Sequence, residues 1–120
     1  MSASFRELRV WQQAMELAVV VYQGTEAFPK HELYGLASQM RRAAVSVPSN
    51  IAEGKGHRSD KEFSRFLFHA RGSLMELETQ ILLAGKLQYL SPEQSHSLQS
   101  AATQVAKSLA GLLNALSEAA

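Results

Sequence analysis

Residues 59–88 read SDKEFSRFLFHARGSLMELETQILLAGKLQ, and the spacing within them decides the fold. Leu67, Ala70, Leu74, Leu77, Ile81 and Ala84 alternate in steps of three and four, with Phe63 one step earlier. A helix turns once in about 3.6 residues, so this spacing lines one face with apolar side chains, as in the seam of a helical bundle. Ser59, followed three residues later by Glu62, supplies a capping-box start.

The same period recurs on both sides. Upstream, Leu33, Leu36, Met40, Ala43, Val47 and Ile51 form a second stripe that stops at Gly54-Lys55-Gly56, a C-terminal breaker. Pro48 lies inside it, where a missing N–H and a crowded turn predict a kink. Earlier still, Trp11, Met15 with Ala14, Ala18, Tyr22 with Val21, and Thr25 mark a helix that Phe28-Pro29 ends. Downstream, Ser91-Pro92-Glu93-Gln94 provides a cap, a proline at the first helical position and a capping-box glutamine, and Leu98, Ala102, Val105, Leu109, Leu112 and Leu116 follow. The reading is all-α: one domain over residues 1–120, an antiparallel up-down four-helix bundle with helices at about 6–27, 31–54, 59–88 and 92–118, the second kinked at Pro48.

A chain of 120 residues can close one hydrophobic core without staples. It has no cysteine, which excludes disulfides, thiolate metal sites and cysteine nucleophiles and suits a reducing compartment. The longest uninterrupted apolar run, Leu17 to Tyr22, is far short of a membrane span, and the first residues lack the pattern of a signal peptide. The expectation is a soluble, cytoplasmic protein. Net charge is +1, but it is unevenly divided: residues 41–71 carry a surplus of four positive charges, residues 1–40 a deficit of one and residues 72–120 a deficit of two. Such a concentration can attract phosphates.

Catalytic and metal chemistry find no support. His31, His57, His69 and His96 match no ligand spacing on a helix, and there is no HExxH cluster. Gly54-Lys55-Gly56 lacks the glycine that a P-loop places before it across four intervening residues, and lacks the preceding strand. Arg65 and His69 are separated by three residues, whereas the Arg–His pair of HEPN-type helical ribonucleases is separated by four to six. Glu76 and Glu78, two apart, sit on different helix faces. No enzyme, cofactor, metal or small-molecule substrate is expected.

Two surfaces stand out instead. Phe68, Met75 and Leu82, seven residues apart, form a second apolar stripe beside the Leu67–Ile81 seam, and Val10, Leu17 and Val20 add apolar surface to the first helix. A helix apolar over much of its circumference needs cover on two sides, so these six residues are the expected interface of a homo-oligomer. Arg41, Lys55, Arg58, Lys61 and Arg65 are assigned to the turn between the second and third helices, where free N–H groups also favour phosphate. Phe63 and Phe66 are read as core, leaving no exposed aromatic ring for stacking and predicting backbone contact rather than base readout. Gln39, Arg42, Ser46, Asn50 and Glu53 form a polar stripe on the second helix. It is either solvated or a network in which Arg42 and Asn50 meet Glu78, Thr79 or Gln80.

The run Arg41-Arg42-Ala43-Ala44-Val45-Ser46-Val47-Pro48-Ser49-Asn50-Ile51-Ala52-Glu53-Gly54 is distinctive. So are Val10-Trp11-Gln12, Tyr34-Gly35-Leu36 with Gln39, and Glu62-Phe63 leading to Gly72-Ser73-Leu74, Glu76 and Glu78-Thr79-Gln80. Together, over about residues 5 to 90, they resemble the four-helix bundle proteins related to the 23S rRNA intervening-sequence proteins. These include the accessory variability determinant of diversity-generating retroelements. The resemblance implies a ring of five subunits and RNA binding through basic surfaces, here Arg41, Arg42, Lys55, Arg58 and Arg65, with a reverse transcriptase as partner in the retroelement branch. The function expected is a non-enzymatic oligomer binding structured RNA or a ribonucleoprotein. The alternative is a protein–protein adaptor or scaffold ring without nucleic acid.

Overall fold

The structure, a computed structural model, describes residues 4–119 of the chain. Four helices, α1 (Arg9–Thr25), α2 (Leu36–Lys55), α3 (Asp60–Lys86) and α4 (Pro92–Ala119), make up its body, with short 3₁₀ turns at Phe5–Glu7 and Lys30–Glu32 and no strand among the described residues. Each helix packs on two others: α1 on α2 and α4, and α3 on α2 and α4. Cross-helix contacts pair residues in opposite sequence order. Ser46 meets Ser73, and Gly54 lies against Phe63 and Phe66. Gln13 meets Ser108, and Gly24 lies against Leu98. Neighbours in both pairs therefore run in opposite directions.

The ends follow local chemistry. At α3, the Glu62 N–H donates to Ser59 Oγ at 3.1 Å. At α4, Gln94 N–H donates to Ser91 Oγ at 3.1 Å while Ser91 N–H donates to Gln94 Oε1 at 2.9 Å, a reciprocal box. α3 closes with Tyr89 N–H on the Ala84 carbonyl and Gln88 N–H on that of Gly85, and Gln88 takes the left-handed φ of 64° such an ending uses. The second helix begins at Leu36, five residues later than the spacing of apolar residues predicts. Pro29 to Gly35 form tight turns instead, and Glu32 turns back to accept the Leu36 N–H at 3.0 Å. Leu33 is consequently exposed. α2 then runs unbroken from Leu36 to Lys55 with Pro48 buried inside it.

The α3 seam is buried along its whole length, Phe63 and Leu67 through Ala84. α1 differs from expectation. Val10, Ala14, Leu17, Ala18, Val21 and Thr25 face the core, and Met15 and Tyr22 are exposed. Two apolar stripes sharing Ala14 and Ala18 run along this helix, and the one nearer α4 turns inward.

Candidate functional site

The six cations singled out from sequence do not form one patch. Arg41 and Lys55 are fourteen positions apart on the unbroken α2, roughly 21 Å at 1.5 Å per residue. Arg41 and Arg42 therefore lie toward the other end of the molecule from Lys55, Arg58, Lys61 and Arg65.

Arg41 is also engaged internally. Its Nε donates to Thr25 Oγ1 at 2.8 Å, its Nη2 to the Tyr22 carbonyl at 3.3 Å, and its guanidinium lies 4.8 Å from the Tyr22 ring centroid. Thr25 is buried, and its hydroxyl donates to the Val21 carbonyl at 2.8 Å. The cation thus sits at the C-terminus of α1, where unpaired carbonyls and the helix dipole favour positive charge. It binds α1 to α2 rather than facing a ligand. Arg42 is exposed beside a shallow groove lined by Gln39, Ser46, Ser73 and Glu76.

The α2–α3 end is built on a close helix crossing. A Cβ at Gly54 would stand 2.6 Å from Phe66 Cβ and 3.1 Å from Phe63 Cδ1, so glycine there lets both rings sit directly under the end of α2. Phe63 and Phe66 are buried, in line with their reading as core. Lys55 Nζ lies 5.7 Å from the Phe63 centroid and the Arg65 guanidinium 4.5 Å from that of Phe66. Arg65 also donates to Glu62 Oε1 from Nε at 3.2 Å and Nη2 at 3.0 Å. That bond holds the Glu62 carboxyl below the usual carboxylate range and offsets the charge of Arg65. Two cations remain. Arg58 and Lys61 are exposed and, among the described residues, make no hydrogen bond or ion pair with another side chain. Asp60 stands between them in the first turn of α3.

The polar stripe of α2 resolves into a network other than the one expected. Asn50 Nδ2 donates to its own helix, to the Ser46 carbonyl at 2.9 Å and Ser46 Oγ at 3.0 Å, and Ser46 Oγ meets Ser73 Oγ at 2.8 Å. Thr79 donates to the Met75 carbonyl and Gln80 to Glu76 Oε2, both within α3. Short hydroxyls bridge the close α2–α3 crossing directly, so Arg42 and Asn50 do not reach Glu78, Thr79 or Gln80.

Of the residues assigned to an oligomer interface, Val10 and Leu17 belong to the chain's own core, at 4% and 0% exposure. Their stripe is the inward one on α1. Phe68, Met75 and Leu82 remain 51%, 59% and 52% exposed, and Val20 is at the edge of exposure. A second apolar surface, which the apolar spacing does not set apart from core, lies between α1 and α2. Trp11, Met15, Val19 and Tyr22 of α1 and Val45 and Pro48 of α2 line an open groove of about 580 Å³. The inward turn of the Val10–Leu17–Val21 stripe of α1 accounts for it, since it leaves Met15 and Tyr22 on the outside. Among the described residues no three His, Cys, Asp or Glu side chains converge as metal ligands, and no helix is long and apolar enough to cross a membrane.

No curated protein matches the sequence. A solved structure of a protein with unknown function from the S23 ribosomal protein family of Bacteroides thetaiotaomicron superposes with a TM-score of 0.80, covering 88% of this chain and 95% of that one. The two are 24% identical, so that likeness speaks to the fold. The sequence itself matches the model of the 23S rRNA-intervening sequence proteins over residues 6–111. With the α2 motif, α1 to α3 and most of α4 inside that span, the chain belongs to the 23S rRNA-intervening sequence protein family.

Proposed function

We propose that the protein is a non-catalytic, self-associating helical module that binds structured RNA through its α2–α3 end. The observation that carries this reading is the pair Arg58 and Lys61, unpaired at the start of α3 beside Lys55, where a phosphate meets both side-chain charge and the positive end of a helix dipole. Membership of a family described by its link to 23S rRNA supports RNA as the ligand. The half-exposed Phe68, Met75 and Leu82 support self-association, since lone subunits rarely leave such stripes open. A ring of five follows from the family resemblance.

The test is binding of a labelled RNA hairpin as a function of salt. Wild type should bind in low salt and weaken steeply as salt rises. Arg58→Glu with Lys61→Glu should bind more weakly and flatten the slope of log affinity against log salt by roughly 1–2. Affinity and slope unchanged by those reversals would refute the reading. Light scattering should return about five times the subunit mass of 13.2 kDa.

A rival reading, an adaptor ring that docks proteins and no nucleic acid, draws support from the apolar α1–α2 groove and the near-neutral net charge of +1. A partner retained after nuclease treatment, with no RNA bound in low salt, would favour it.

A further inference from the structure

The α2–α3 turn presents a ring that the phosphate contacts do not use. His57 lies two residues beyond the end of α2, and its backbone N–H donates to the Gly54 carbonyl at 3.1 Å, pinning the turn. Its imidazole lies on the Phe66 ring, centroids 4.9 Å apart and planes 21° from parallel. Phe66 is itself fixed: it is buried, pressed against Gly54, and flanked by the Arg65 guanidinium at 4.5 Å and the His69 ring at 6.0 Å. One face of the imidazole is therefore backed by a rigid ring, while the residue as a whole is exposed. Arg58 follows it directly, and Lys61 stands three residues further on, both free.

An aromatic plane held flat at the surface, with unpaired cations beside it, suits a nucleotide whose base is not already stacked. In an A-form duplex the bases are covered by their neighbours and the major groove is too deep and narrow for a side chain to read. In a loop, bulge or free end the base can lie on a side-chain ring while the adjoining phosphates meet cations. We infer that the α2–α3 turn binds an unpaired nucleobase, stacked on the outer face of His57, with Arg58 and Lys61 on the neighbouring phosphates. The inference rests on the RNA reading and narrows its ligand class to RNA with unpaired residues.

Two labelled RNA duplexes of equal length, one fully paired and one with a bulge of unpaired adenosines, distinguish the possibilities by fluorescence anisotropy in low salt. Wild type should bind the bulged probe about tenfold more tightly, the scale of one base–aromatic stack. His57→Ala should lose that preference while keeping the salt slope, because no phosphate contact is removed. His57→Tyr, which keeps a flat ring, should retain the preference. Arg58→Glu should weaken both probes and flatten the slope. A wild type without preference, or His57→Ala binding both probes as wild type does, overturns the stacking inference and leaves the phosphate reading standing. Failure of wild type to bind either probe overturns both.

Discussion

The two ends of α2 carry similar residues and put them to opposite use. At its N-terminal end Arg42 stays exposed, but Glu32 and Arg41 are answered from inside the fold. Glu32 accepts the Leu36 N–H and the Tyr89 hydroxyl, and Arg41 is bonded to Thr25 and Tyr22 of α1. At its C-terminal end Arg58, Lys61 and the outer face of His57 have no internal partner among the described residues. A cation bonded to a buried hydroxyl and a helix-end carbonyl serves stability. A cation left in water contributes little to stability and is available to a ligand. The count of positive charge along the chain treats the two ends alike, and only their geometry separates them.

The largest expected effect probes how the open end is held. Gly54→Val introduces a branched side chain where even a Cβ would stand 2.6 Å from Phe66. Valine is the better helix former by a few tenths of a kcal/mol, but overpacking a close crossing outweighs that, and a loss of about 3 kcal/mol is expected. Urea denaturation measures it. A midpoint equal to that of wild type would mean the helices have slack here and that Gly54 does not seat the His57–Phe66 stack.

Next in size is a direct contrast between the ends. Arg41→Ala removes a charge-assisted bond to a buried threonine and a contact with the Tyr22 ring, and should destabilise by about 1–2 kcal/mol with little change in RNA affinity. Arg58→Ala should alter stability by less than about 0.5 kcal/mol while weakening RNA binding. Equal effects of the two substitutions on both properties would erase the distinction between a closed and an open end.

How far the sequence foretells these features depends on how far apart the participants are. The α3 seam is legible because its steps of three and four run without a break from Phe63 to Ala84, whereas the second stripe, Phe68, Met75 and Leu82, recurs only every seven residues. On α1 two stripes share Ala14 and Ala18, and periodicity cannot choose between them. The choice is made by α4, which approaches at Gln13 and Gly24. The family motif from Arg41 to Gly54 is legible as a motif, but not the fate of its arginines. Arg41 finds its partner Thr25 sixteen residues back, through a turn whose path spacing does not reveal. His57 passes for an ordinary surface histidine in sequence. Its orientation depends on Phe66, and Phe66 on Gly54, a relation that exists only once α2 and α3 cross. Gly54 is the one visible signal, and in sequence it reads equally well as a helix stop.

The smallest expected effect tests the closed end by pH. In the folded chain the Leu36 N–H and then the Tyr89 hydroxyl donate to Glu32, holding its carboxyl below the usual carboxylate range. A carboxyl whose folded pKa is depressed stabilises the fold above its unfolded pKa, and that contribution is lost as pH falls through the depressed value. Glu32→Gln keeps an oxygen for the Leu36 N–H, and its amide N–H can donate to the Tyr89 hydroxyl oxygen in place of the second carboxylate oxygen, but it cannot ionise. Wild type should therefore be the more stable of the two at pH 7, and the gap in urea midpoint should close on acidification below about pH 4. The Tyr89 proton is held correspondingly tightly, its pKa raised chiefly by the bond to Glu32. Tyr89→Phe should for that reason narrow the pH-dependent gap without removing the part owed to Leu36. A gap of the same size at pH 3 and pH 7 would mean that Glu32 acts through packing rather than charge, and the closed end would then owe its order to Arg41 alone.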